Sequence, residues 1–491
     1  MKRIVGTETE FGIAARYPGS TDPVSNSIFL IGSYPNLPSS SIAWDYENEN
    51  PLKDARGFEA DGERERPSPE YNRLLNKLLS NGGRLYVDGA HPEYSTPECA
   101  TPLELLAYEK VGERILEISL EMTRLMKTSD VDLSIYKNNT DGKGNSYGYH
   151  ENYLVARSFP FEKLVSQLIP FLVTRQIFAG SGKVGSENRT EPADYQISQR
   201  ADFFETLVDL NTMVKRPIIN TRDEPHADPE KYRRLHVIVG DSNMSEVTTY
   251  LKIGTMGLVV AMLESGCEVD GISLDDPVRS IKEISRDLSL KHEIKLSRGV
   301  ALRATDVQRV YLEKAEMHFE KSDDPITLDV LRRWRQVLDQ LDDDPMQLSR
   351  EIDWVIKREL IESYMSRKGC DWGDPRVSMM DLQYHNVVQK KGLYYSLEKG
   401  GYVERLISPE MLVHAQENPP TDTRAYFRGT CLKKFPKEIY AASWTSILFK
   451  ARNGTIKKIP LMDPWKGGKE LTGSLLEEVQ SVDELLKLIA T

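Results

Sequence analysis

Two short runs near the start of the chain alternate charged side chains with small or apolar ones: Gly6-Thr7-Glu8-Thr9-Glu10-Phe11-Gly12 and Arg84-Leu85-Tyr86-Val87-Asp88-Gly89-Ala90-His91-Pro92-Glu93. Successive side chains of a strand point to opposite faces. The pattern therefore demands a sheet with Glu8 and Glu10 on one face, and a second strand carrying Arg84, Tyr86 and Asp88 together while Leu85 and Val87 are buried. An isolated acidic strand is commonly the solvated face of a half-exposed sheet. Two such runs, one with an arginine and a tyrosine among the acids, point instead to a polyphosphate and metal site, because crowded carboxylates need a counter-ion. Magnesium takes oxygen ligands and keeps substrate phosphates in its remaining positions, which leaves Arg84 to hold a phosphate. Asp88, held ionised by a nearby cation, is the candidate base or nucleophile toward a carbonyl or phosphoryl centre.

Composition narrows the class of partner. Lys+Arg 64 against Asp+Glu 75 gives a net charge of -11, so no overall basic field exists to attract nucleic acid or an anionic membrane. Hydrophobic residues at 39% and charged residues at 28% are the balance of a folded globular chain, long enough at 491 residues for more than one domain. The four cysteines, Cys99, Cys267, Cys370 and Cys431, are far apart and lack a CxxC spacing, which argues against a zinc site or a disulfide framework. No signal-like region opens the sequence, and the longest apolar run, Met256 to Leu263, reads as a core helix. A cytoplasmic enzyme without nucleic-acid or membrane partners is the expectation.

Along the chain, an irregular stretch from about Tyr17 to Ser80 carries aromatic anchors around an extremely polar centre, Asp61-Gly62-Glu63-Arg64-Glu65-Arg66, and reads as a partly ordered active-site loop. Thr101-Pro102-Leu103-Glu104 opens a long helix to about Lys127, with Thr101 as N-cap and Glu104 completing a capping box. Strand patterns follow at Val131-Ser134, His150-Ala156, Arg216-Asn220 and Leu235-Val239. Helical patterns fill Glu246-Ser265, Pro277-Leu288, Asp306-Phe319, Asp329-Leu341 and Glu351-Ser366. Strands early and helices late read as α+β, with helices backing a largely antiparallel sheet. Near the end, Arg424-Leu432 and Ser443-Phe449 read as strands and Ser474 to Ala490 as a helix, which suggests a small terminal module joined at Asn418-Pro419-Pro420.

His150 and His236 each open a strand pattern. Alone each is an ordinary core or edge histidine, but beside an acidic cluster both are candidate metal ligands. Arg222, in the polar turn Asn220-Thr221-Arg222-Asp223-Glu224-Pro225-His226, can meet a carboxylate or phosphate with both guanidinium arms. Gly180-Ser181-Gly182-Lys183 lacks the first glycine and the Ser or Thr of a phosphate loop and is set aside. Trp444 is either core or a stacking platform for a nucleobase. No Ser/His/Asp or activated-cysteine arrangement supports a Ser or Cys nucleophile.

The two opening runs, together with Tyr149-His150-Glu151-Asn152-Tyr153-Leu154, Asn220 through Asp228, His236 through Glu246 and Ser443-Trp444, resemble the Pup ligase and Pup deamidase/depupylase family from end to end. The resemblance implies a carboxylate-amine ligase fold related to glutamine synthetase. This would be a large α+β domain over 1-420 with a mainly antiparallel curved sheet backed by helices, an inserted loop at about 38-80, and a small C-terminal domain over 421-491. It also implies that Glu8, Tyr86 and Glu93 bind magnesium, that Arg84, Thr96 and Trp444 bind ATP, and that Asp88 is the catalytic aspartate. His150 and His236 look like further metal-site residues, and Glu10 and Arg222 like cofactor-binding ones.

The segment Trp44-Asp45-Tyr46 to Ala55-Arg56-Gly57-Phe58 resembles the loop that marks the hydrolytic branch. That branch, by resemblance, converts the C-terminal glutamine of the small protein Pup to glutamate and cleaves the isopeptide bond between Pup and a substrate lysine, with ATP, or ADP and phosphate, kept bound as a cofactor. The alternative is the ligase that forms that bond and consumes ATP. Pup and pupylated proteins are the expected partners. Gly89 departs from the bulkier residue, often histidine, expected beside Asp88 in that branch.

Overall fold

The computed structural model describes residues 2–16, 22–62, 66–126, 132–212 and 214–489. Strand β1 (Val5–Glu10) buries Val5, Thr7 and Thr9 on one side and turns Glu8 and Glu10 to the other, as its alternation requires. It lies inside a six-stranded sheet whose other members are β2 (Asn76–Leu78), β3 (Arg84–Asp88), β4 (His91–Ser95), β5 (Tyr149–Ala156) and β6 (Tyr232–Val237). The order is β6-β5-β1-β4-β3-β2, and every neighbouring pair is antiparallel. β3 and β4 form a hairpin turned by Gly89 and Ala90, with Gly89 at φ 53 in the left-handed region.

Helices back the sheet, Pro23–Gly32 against β3 and β4 and two longer ones against β1 and β5. In helix α1 (Pro102–Met126) the Thr101 hydroxyl accepts from the Glu104 amide at 3.2 Å, while the Glu104 carboxylate accepts from the Ala100 amide at 2.8 Å, one residue earlier than in a strict capping box. Gly112 on α1 admits the ring of Tyr94 from β4, because a Cβ there would come within 2.5 Å of it. Helix α2 (Glu246–Glu264) is long and apolar enough to cross a membrane by length and composition, yet it is a core helix in which only Ala261 and Glu264 escape burial.

The C-terminal part builds a second core. Strands Ile439–Ala442, Ser446–Lys450 and Ile456–Pro460 run antiparallel, and Ala43–Trp44 adds to Ile439–Ala442 in parallel. Ile42, Trp44 and Leu78 pack there with Phe427, Cys431, Phe449 and Leu485. The stretch from Tyr17 to Ser80 is therefore less irregular than the sequence suggests. It contains helix Pro23–Gly32, capped by Asp22, and helix Pro69–Leu75, capped by Ser68. Residues 17–21 and 63–65, the latter at the polar centre, lie outside the described residues, as does Val131.

Two further expectations fail. Arg424-Leu432 is not a strand but part of helix Ala425–Lys434. Its aromatic residues imitate a β pattern, but Phe427, Cys431 and Leu432 fall on one helical face, and that face is buried in the second core. The terminal helix is broken into Lys469–Glu478 and Val482–Ile489. Ser481 intervenes as a cap, its hydroxyl accepting from the Glu484 amide while Glu484 accepts from the Gln480 amide.

Candidate active site

Residues directly opposite in an antiparallel pair point to the same face. In this register Glu10 faces Glu93, Tyr86 faces Glu93, Glu8 faces both Ser95 and His150, and Asp88 faces His91. Two clusters result. Ligand atoms of Glu10, Asp88 and Glu93 lie within 4.8 Å of one another, as do those of Glu8, His150 and His236. Both clusters line a single cleft of about 480 Å³, together with Arg84, Tyr86, Arg222 and Trp444. Thr96 lines an adjoining pocket that shares Glu8, Ser95, Arg234 and Trp444 with the cleft, and its hydroxyl accepts from the Thr7 amide at 2.9 Å. Every residue singled out from the sequence as a candidate thus reaches this cleft or the pocket joined to it.

The acids do not share one protonation behaviour. Burial, then the charges of Asp88, Glu10 and Glu8, push the Glu93 carboxyl well above the usual range. Its Oε2 is buried without a hydrogen-bond partner. Burial, then Glu93 and Glu8, also push the Tyr86 phenol well up. Asp88, at the solvent-accessible tip of β3, is raised by its crowded surroundings and by Glu10, with His150 counteracting. Burial acts on Glu8 in the same direction, but the His150 contact at 3.2 Å and the charges of His236 and Arg234 overcome it and hold Glu8 well below the usual range. Glu10 is lowered against burial by His91 at 3.3 Å and by His150. Oxygen donors pressed together, with one buried oxygen left unpaired, are the kind of set that a hard divalent cation takes, Glu93 standing with Glu10 and Asp88 and Glu8 with His150 and His236.

Aromatic and basic side chains close the other end. The Arg84 guanidinium lies between the rings of Trp44 and Tyr86, at 3.9 and 4.0 Å from their centroids, and Nε donates to Asn76 Oδ1 at 3.0 Å. Trp44 meets Trp444 edge to face at 5.2 Å, and Arg428 lies 5.0 Å over the Trp444 ring. The loop that carries Trp44 is tied to the rim. Ala55 N donates to Thr221 O at 2.7 Å, Asp223 N to Lys53 O at 2.8 Å and Asn50 N to Glu224 Oε1 at 2.6 Å, while Tyr46 and Glu49 line the cleft itself.

The cleft also contains residues not anticipated from the sequence. Arg234 donates to Asn152 Oδ1 at 3.0 Å and reaches Glu8 at 3.5 Å. Arg216 donates to Ser146 O at 2.6 Å. Arg200, buried on backbone carbonyls of Ile238 and Gly240, is lowered to about 10 by burial and by Arg216. His91 bridges to Glu10. Arg234 precedes His236 by two residues on one strand and His91 closes the Asp88 hairpin, so alternation and pairing carried a signal for both. Arg200 follows the two-residue strand Tyr195–Gln196 in a segment without periodicity, and no pattern marked it.

A family model described as Pup-ligase protein matches residues 3–448. The chain belongs to this family. Among members of the Pup-ligase family, a depupylase of Acidothermus cellulolyticus is 46% identical over 501 residues, covering 99% of both chains. A Pup deamidase/depupylase of Mycolicibacterium smegmatis is 43% identical over 496 residues, again covering 99% of both. A solved structure of the Pup ligase PafA in complex with ADP superposes with a TM-score of 0.75 at 35% identity, covering 82% of this chain and 90% of that one. The Pup-ligase match includes both carboxylate clusters and Trp444 and stops before strand Ile456–Pro460.

Proposed function

We propose that this chain is a Pup deamidase and depupylase. It hydrolyses the side-chain amide of the C-terminal glutamine of Pup to glutamate, and the isopeptide bond between that glutamate and a substrate lysine, with a nucleotide bound in the cleft. The observation that carries this reading is the end-to-end relation to a depupylase and to a deamidase/depupylase. The ADP complex of the related ligase supports a nucleotide here. Arg84 holds its phosphates, Thr96 and Trp444 its nucleoside, with Glu10 and Arg222 as further contacts. Glu8, Tyr86 and Glu93, with His150 and His236 beside them, would hold magnesium, which when bound supplies positive charge against the phosphates and the crowded carboxylates.

Both substrates present one chemical problem, a γ-carbonyl from which ammonia or a lysine amine must leave. Asp88 acts in one of two ways. It adds to the carbonyl carbon, the C–N bond breaks as the nitrogen takes a proton, and water then cleaves the anhydride; or it takes a proton from a water that adds to the same carbon and passes that proton to the nitrogen as the C–N bond breaks. In either case its carboxylate must be ionised, and a cation bound beside it would oppose the upward push of burial, Glu10 and Glu8. The proposed division near residue 420 places Trp444 in the C-terminal unit and the other site residues in 1–420, so the nucleotide binds at their junction.

Incubation with glutamine-ended Pup, ATP and magnesium should give the mass gain of exchanging an amide for a carboxyl. A ligase would instead couple glutamate-ended Pup to a protein lysine and release one ADP per conjugate. Conjugate formation without amide hydrolysis would replace the proposed function with that one.

A further inference from the structure

A second cleft, of about 530 Å³, opens between the loop around 138–147, strand Lys183–Val184 and helix Pro375–Tyr384. His91 lines this cleft and the active site alike. It stands across the hairpin from Asp88, its Nδ1 is 3.3 Å from Glu10, and its ring lies 4.5 Å from that of Tyr147. We propose that this second cleft receives the lysine-bearing segment of the protein from which Pup is cut. The inference rests on the hydrolase reading above.

An isopeptide has two sides. On the acyl side, the terminal residue of Pup carries a free α-carboxylate, and the groups suited to it, Arg200, Arg216 and Arg222, line the active site but not the second cleft. The amine side is left with the space beyond His91. Ammonia, the product of glutamine hydrolysis, needs no more room than a water, whose share of liquid volume is about 30 Å³. A lysine with its flanking backbone needs a cleft.

The lining suits a leaving chain of varied sequence. Two of its anions are matched: Asp381 accepts from Lys357 at 2.6 Å and from the Val184 amide at 2.8 Å, and Glu187 meets Lys183 at 2.7 Å and the Thr140 hydroxyl at 2.7 Å, while the third, Asp141, accepts from the Lys143 and Asn145 amides at 2.7 and 3.1 Å. Gln199 and Asn138 are held within the protein, Gln199 accepting from Asn139 N at 2.7 Å and bonded to His385 Nε2 at 2.7 Å, Asn138 donating to Thr140 O at 2.7 Å, so a guest meets at the rim the exposed Asp141 and Lys143, one charge of each sign, which select for no fixed net charge.

Filling the cleft separates the two reactions. In the full-length protein, Ser378→Trp, at an exposed position on helix Pro375–Tyr384, and independently Ser186→Trp add bulk to its lining. The measurement is kcat/KM for a Pup–protein conjugate and for Pup ending in a γ-amide or γ-methylamide. Conjugate cleavage should fall by about tenfold or more while the small amides change less than about twofold, the retained reaction also reporting a folded active site. Equal loss on both substrates in both variants would overturn the inference and give the cleft to Pup itself. Unchanged rates on both would overturn it as well. If the unsubstituted protein cleaves neither substrate, it is the hydrolase reading that fails.

Discussion

Tyr86 and Glu93 face each other across β3 and β4, and the Glu93 carboxylate that results is 1% exposed with its Oε2 unpaired. Glu8, Glu10 and Asp88 crowd the same carboxyl and push its pKa up. Without a cation this arrangement works against stability.

Glu93→Gln should therefore raise the melting temperature in the absence of divalent ions, by the equivalent of about 1 kcal/mol, and abolish the stabilisation that magnesium gives the unsubstituted protein. Thermal melts of both proteins with and without magnesium and a chelator check this. A variant still stabilised by magnesium to the original extent would remove Glu93 from the ligand set.

Glu98 fastens the C-terminal helix Ala425–Lys434 and the residue before it to the sheet, with Arg424 at 2.6 Å and Arg428 at 2.5 Å. Burial pushes its carboxyl up, but the two guanidinium groups prevail and hold it at about 2, against an ordinary 4.5. A depressed folded pKa stabilises above the unfolded value and loses that contribution as pH falls toward the folded one. Between pH 4.5 and 2 the protein should lose on the order of 3 kcal/mol from this carboxylate. Denaturant midpoints across that range should decline less steeply in Glu98→Gln, which starts from lower stability at neutral pH.

Gly89 has φ 53, and a Cβ built on it meets nothing within 4 Å. Space admits the larger residue expected there, but the backbone opposes it. Gly89→Ala should cost about 1 kcal/mol, and Gly89→Asn less, because asparagine tolerates the left-handed region. Equal stability of glycine and alanine proteins would show that this turn relaxes to another conformation.

The parts of the fold legible in the sequence were those in which side-chain period and function coincide. Glu8 and Glu10 on β1, and Arg84, Tyr86 and Asp88 on β3, announce their faces through alternation, and the antiparallel register then gathers them. Where apolar residues occur at helical spacing, as in Phe427 and Cys431, composition imitated a strand and burial decided otherwise. Helix Pro23–Gly32 went unseen because polar residues in its first turn resemble the loop around it. Arg200 and Arg216 reach the site from short or irregular segments, and only tertiary contacts reveal them.

Asp88-centred amide hydrolysis is tested most directly by Asp88→Asn in the mass assay with glutamine-ended Pup and with a Pup–protein conjugate. The substitution keeps shape and removes the ionisable carboxyl at the tip of β3. Both reactions should fall by about a thousandfold or more, with nucleotide affinity changed less than about threefold. Hydrolysis of either substrate at the original rate would contradict the proposed role of Asp88.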